Sequence, residues 1–112
     1  MTILNLNKDV KGFNTYLRAP SENKYSMSLT TAGGEQTVTA PAYADKFTAI
    51  FSYEPGGEVW VAINATAASP SGAVAVSTSE LNPVGYELKA GDVIHLITPD
   101  VSVNVGVVFY AV

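Results

Sequence analysis

Strict alternation near the carboxyl end constrains this chain more than any other feature it carries. Val101, Val103, Val105, Val107 and Phe109 fall at every second position. A strand sends successive side chains to opposite sides, so these five share one face. The other face reads Ser102, Asn104, Gly106, Val108 and Tyr110, polar at first and apolar towards the end. Just upstream, Gly91-Asp92 is a turn signal, residues 93–98 form a short apolar run, and Pro99-Asp100 is a second turn signal. The expectation is an antiparallel hairpin closed by Pro99-Asp100, with the last strand central to a β core.

Upstream the pattern repeats on a smaller scale. Tyr25, Met27 and Leu29 alternate with Ser26, Ser28 and Thr30, and Gly33-Gly34 turns the chain into residues 36–40 with Val38 inward. Phe47, Ala49, Phe51 and Tyr53 share one face of the next strand. Glu54-Pro55-Gly56-Gly57 is a strong turn, which predicts a second hairpin with residues 58–64. Residues 65–72 are small and flexible, hence a loop; 73–77 read as a short strand, and Leu81-Asn82-Pro83 bends the chain into Tyr86-Glu87-Leu88. Short strands at close intervals, with no amphipathic helix, predict an all-β fold. Its form is a single antiparallel β-sandwich, jelly-roll-like, over residues 21–112.

Residues 1–20 stand apart. Lys8, Lys11 and Arg18 are scattered among Ile3, Leu4, Leu6, Val10, Phe13, Tyr16 and Leu17. Val10, Phe13 and Leu17 have helical spacing, but Gly12 and Asn14 weaken a helix. The segment reads as an extended N-terminal arm with at most one helical turn, or else as a first strand of the sheet. Burying each large apolar group is worth about 1.5–3 kcal/mol. Ile3, Leu4, Leu6, Phe13, Tyr16 and Leu17 are therefore candidates for protein contact.

Charge narrows the function classes. Hydrophobic residues make up 47% of the 112 and charged residues 14%, which is sparse for a surface wholly in water. The net charge of −4 disfavours nucleic acid, which needs a basic footprint. Without cysteine there is neither a disulfide framework nor a thiol nucleophile. Asn5, Asn7, Lys8 and Asp9 interrupt the apolar start at once, unlike a secretory signal, and no stretch has transmembrane length. The expected location is the cytosol of the producing cell until that cell releases the protein.

His95 is the single histidine, and it sits inside the apolar run. A triad around it would need a Ser and an acid, both too abundant here to discriminate. Glu54, Glu58, Asp92 and Asp100 sit in or beside turns, while Glu80 and Glu87 form no evident pair, so no glycosidase couple stands out. No catalytic, metal-binding or cofactor-binding residue is assigned, and an enzyme is not expected. Trp60 with Tyr43, Tyr53 and Tyr86 would suit a sugar platform. With Val59, Val61 and Ile63 inside, however, Trp60 points outward with Ala62 and Asn64, a position that marks a subunit or ligand contact. Low charge favours a protein contact.

Residues 58–62, the bend Glu80-Leu81-Asn82-Pro83, residues 88–94 and the terminal Val107-Val108-Phe109-Tyr110 together resemble small virion proteins of tailed bacteriophages. Each motif is weak alone; their order and spacing over residues 47–112 carry the resemblance. It implies a β-sandwich of the capsid decoration, or cement, type that coats and stabilises the head shell. The implied partners are the major capsid protein and copies of itself, a homo-oligomer with a trimer among its forms, and neither nucleic acid nor membrane. The implied location is the virion, assembled in the bacterial host cytoplasm. The alternative is a carbohydrate- or receptor-binding β-sandwich module of a phage tail or neck.

Overall fold

The structure, a computed structural model, describes residues 2–8 and 10–112, and of 14–16 the backbone alone. Among these residues there is no helix and there are ten strands. These are β1 (Leu6–Lys8), β2 (Asn14–Arg18), β3 (Lys24–Leu29), β4 (Gln36–Thr39), β5 (Lys46–Tyr53), β6 (Trp60–Ile63), β7 (Glu80–Leu81), β8 (Gly85–Lys89), β9 (Val93–Ile97) and β10 (Val103–Ala111). Two antiparallel sheets pack face to face as a sandwich, one ordered β3-β10-β5-β8 and the other β4-β9-β6-β7.

β10 is the centre, as its alternation predicts. It hydrogen-bonds to β3 along one edge and to β5 along the other. Val103, Val105, Val107 and Phe109 point into the core with Leu29, Phe47, Ala49 and Leu88 from their own sheet. Val59, Val61, Ile94 and Leu96 meet them from the opposite sheet. Phe109 packs edge-on against both Tyr25 and Phe47, the geometry in which a ring edge meets a ring face. Val101, expected on the same face, lies before the strand and is exposed.

The connections correct the sequence reading. Neither of the two expected hairpins forms, and the chain turned at Gly33-Gly34 crosses over in the same way. β3 and β4, β5 and β6, and β9 and β10 lie in opposite sheets in each case. A turn signal fixes that the chain reverses, not whether the returning strand bonds beside the first or crosses the core to face it. Alternation is satisfied either way, because the inward faces stay apolar. At Glu54–Gly57 the local chemistry is as read: Gly57 N–H donates to Glu54 O at 2.9 Å, and Gly56 takes φ 80°, as a type II turn requires. The predicted strand at 73–77 is also absent, with Val74 and Val76 in water. Instead 65–79 is a compact loop whose neck is closed by Ala68 N–H to Ser79 Oγ and Thr78 Oγ1–H to Thr66 O.

The N-terminal segment forms no helical turn, and it joins a main sheet only at Ile3, which makes a parallel bridge to Ala111 of β10. β1 and β2 pair only with each other, antiparallel, Leu6 opposite Arg18 and Lys8 opposite Asn14. The molecule measures 51 × 29 × 27 Å. Nine residues of strand span roughly 30 Å, so its long axis exceeds the longest strand of the sandwich.

Candidate functional site

The hairpin is rooted at the end of β10. Leu4 N–H donates to Ala111 O at 3.1 Å, and Ala111 N–H donates to Thr2 O at 2.8 Å. On the return, the Arg18 guanidinium lies 5.5 Å from the centre of the Tyr110 ring, and Tyr110 Oη–H donates to Ala19 O. Ser21 Oγ–H then donates to Phe109 O at 2.6 Å. Tyr110 belongs to the outer face of its sheet and is nevertheless buried, because this returning segment covers it. Beyond the root the apolar side chains face water: Phe13 is 69% exposed and Leu17 66%, with Ile3, Leu6 and Val10 exposed as well. Leu4 is half-buried, and the Tyr16 side chain lies outside the described residues. The structure thus gathers Leu6, Phe13 and Leu17 on one hairpin and adds Val10, which lies in the turn between the strands.

Trp60 sits on the outer face of the other sheet, as its alternation with the buried Val59 and Val61 requires. Directly opposite it in the ladder are Leu81 on β7 and Ile97 on β9, so the three form one apolar stripe across the sheet. Trp60 Nε1–H donates to Glu58 Oε2 at 2.8 Å, which satisfies its polar tip. Ala62, expected outside with Trp60, is buried instead. Its ladder partner is His95, and the loop after β6 folds back over this row, with Ala67 also buried.

Glu35 holds that loop. Its Oε2 accepts from Ala67 N–H at 2.9 Å and its Oε1 from His95 Nδ1–H at 2.7 Å. These two bonds hold the Glu35 carboxyl below the usual glutamate range, His95 first and Ala67 second. His95 is thus a tether. Asn82 and Asp92, both read only as bend and turn residues, have comparable duties. Asn82 adopts φ 43°, accepts from Val59 N–H and donates to Gly57 O, lashing the β5–β6 turn to β7. Asp92 accepts from Asn64 Nδ2–H at 3.0 Å and Lys89 N–H at 2.8 Å, and both bonds lower its pKa.

The aromatic platform does not assemble. Tyr53 stacks on Phe51 and donates to Pro83 O, while Tyr86 packs edge-on to the same Phe51 and donates to Glu80 Oε1. Burial drives both phenols well above their ordinary pKa, reinforced by Glu80, so both stay protonated at neutral pH. They seal the β7–β8 side of the sandwich, whereas Tyr43 leans on Phe47. On the outer face of β3-β10-β5 an open trough of about 430 Å3 is lined by Ser26, Ser28, Ser52, Glu54 and Asn104. Among the described residues, no group of three or more His, Asp or Glu side chains would hold a metal ion. Among the described residues, the features that face outward include the apolar hairpin, the Trp60 stripe and the serine-lined trough, where Ser28 Oγ–H donates to Asn104 Oδ1. No protein-family model, curated protein or solved structure matches the chain.

Proposed function

We propose that this chain is a non-enzymatic virion structural protein of a tailed bacteriophage, first of all a capsid decoration (cement) protein that binds and stabilises the head shell. The carrying observation is the hairpin of residues 6–18, whose Leu6, Val10, Phe13 and Leu17 side chains are exposed beside the sandwich. Apolar groups held in water on a rooted two-stranded finger serve contact better than they serve folding. The body supports the reading at the level of fold. Its strand order, β3-β10-β5-β8 facing β4-β9-β6-β7 with successive strands mostly changing sheets, fits a jelly roll, an architecture shared by viral capsid and lectin domains. The partners are then the major capsid protein and further copies of this chain, and the location is the virion.

The test adds purified protein to head shells lacking it and measures the bound copies after sedimentation. Full-length protein is expected to co-sediment, and a version lacking residues 1–18 to remain folded and attach at least about tenfold more weakly. Absence of the full-length protein from the shell fraction would sink the reading. A second reading, a carbohydrate- or receptor-binding module of a phage tail or neck, draws support from the trough lined by Ser26, Ser28, Ser52 and Asn104. Binding on a glycan array, lost in Asn104→Ala, would favour it.

A further inference from the structure

Charge is divided unevenly along this chain. Residues 1–20 hold Lys8, Lys11 and Arg18 against Asp9, a net +2, whereas the remaining residues hold three basic and nine acidic side chains, a net −6. The basic part is also the part with exposed Leu6, Val10, Phe13 and Leu17. An acidic, apolar counterpart exists on the body. The Leu81-Trp60-Ile97 stripe runs across three strands, with the Glu58 carboxylate on the same face, bonded to the Trp60 indole. Glu58 accepts from a neutral donor, the Trp60 indole, so its negative charge is available to a cation.

The hairpin cannot reach this stripe in its own chain. It is rooted where β10 ends, at Tyr110 and Ala111, on the outside of the β3-β10-β5-β8 sheet. The stripe lies on the outside of the other sheet and at the opposite end, beside the turn whose Gly57 abuts Val103, the first residue of β10. Nine residues of strand, roughly 30 Å, and the thickness of the sandwich separate the two. Only another molecule brings them together.

We propose that the occupant of the Trp60 stripe is the N-terminal hairpin of a second copy of this chain, its Leu17 on Trp60 and Leu81 and its net positive charge towards Glu58. Such a contact joins two different patches and is therefore heterologous: it repeats around a ring or along a filament. It deepens the contact role given to the hairpin above, and clustering of copies would multiply a weak grip on a shell. It is nevertheless tested on the protein alone, so its failure leaves shell attachment standing.

Two single-site variants supply the test, measured by analytical ultracentrifugation from micromolar to millimolar concentration. Leu17→Asp spoils the hairpin, and Leu81→Asp spoils the stripe; both positions are exposed, and circular dichroism checks that each variant stays folded. Wild-type protein is expected to assemble, each variant alone to be monomeric, and their equimolar mixture to form a one-to-one heterodimer. The mixture joins because it still contains one intact hairpin and one intact stripe. Raising the salt should weaken assembly, since part of the attraction is between surface charges. Three results would each overturn the proposal: a monomeric wild type, a Leu81→Asp variant that still assembles, or variants that fail to pair when mixed.

Discussion

β10 and the N-terminal hairpin are built from similar residues and meet opposite fates. β10 has hydrogen-bonded neighbours on both edges and a second sheet across its inner face, and Val107 and Phe109 are wholly buried there. The β1-β2 pair is a two-stranded sheet with one neighbour per strand, and Leu17 stays largely in water. Two-stranded hairpins are marginal by themselves, so this one depends on its root at Tyr110 and Ala111. The difference teaches that an apolar pattern announces a surface to be covered, while topology decides which molecule covers it. In β10 the cover is the same chain; in the hairpin Leu6, Val10, Phe13 and Leu17 stay exposed.

The sharpest way to break that comparison is to truncate one apolar side chain in each region. Phe109→Ala removes a ring packed between Tyr25 and Phe47 and should cost about 3–5 kcal/mol in urea unfolding. Leu17→Ala should change stability by no more than about 0.5 kcal/mol, as surface substitutions do. Similar losses at the two sites would mean that Leu17 is packed within its own chain, and the contrast would collapse.

Much of the body was legible in advance, for a physical reason. Faces follow from period two alone, so the inward sets Phe47-Ala49-Phe51 and Val103-Val105-Val107-Phe109, and the outward Trp60, were all readable. Partners were not. Whether the strand after Glu54-Pro55-Gly56-Gly57 bonds beside β5 or crosses to the other sheet leaves no mark on either strand's alternation, and so the hairpins were misassigned. The strand expected at 73–77 failed because Val74 and Val76 alternate without any sheet to cover them. Tyr110 and Glu35 were missed as tethers, since their partners lie 91 and 60 residues away in Ala19 and His95. The one available signal was the apolar end of the outer face of β10, which implied that something covers Tyr110.

A smaller effect tests the root. Tyr110→Phe keeps the ring beneath Arg18 and removes only the hydroxyl that donates to Ala19 O. Loss of one such hydrogen bond is worth about 0.5–1.5 kcal/mol. The expected signature is faster hydrogen exchange at Leu4 and Ala111, whose amides pin residues 2–4 to β10, with the amides of β5 unchanged. Exchange quickened evenly through both sheets would mean that the hairpin root is an integral part of the fold and not a separate attachment.

The smallest effect belongs to the other segment outside the sheets, the loop 65–79, which like the hairpin is held by side chains at its base. Glu35 is the tether, and its carboxyl lies below its ordinary value of 4.5 because the His95 ring and the Ala67 N–H both donate to it. A group whose pKa is lowered on folding contributes stability that is fully present above the unfolded value. That contribution fades as the pH falls through the folded one. The tether should therefore be intact at neutral pH and weaken only in acid below about 4.5. Glu35→Gln retains one acceptor but no charge, so at pH 7 the Ala67 amide should exchange faster in the variant, with the melting temperature almost unmoved. As the pH falls through the lowered pKa of Glu35, wild type and variant should converge, provided exchange is corrected for its intrinsic pH dependence. A difference that persists undiminished in acid would show that the carboxylate charge is not what holds the loop, and would leave packing of Ala62 and Ala67 as its anchor.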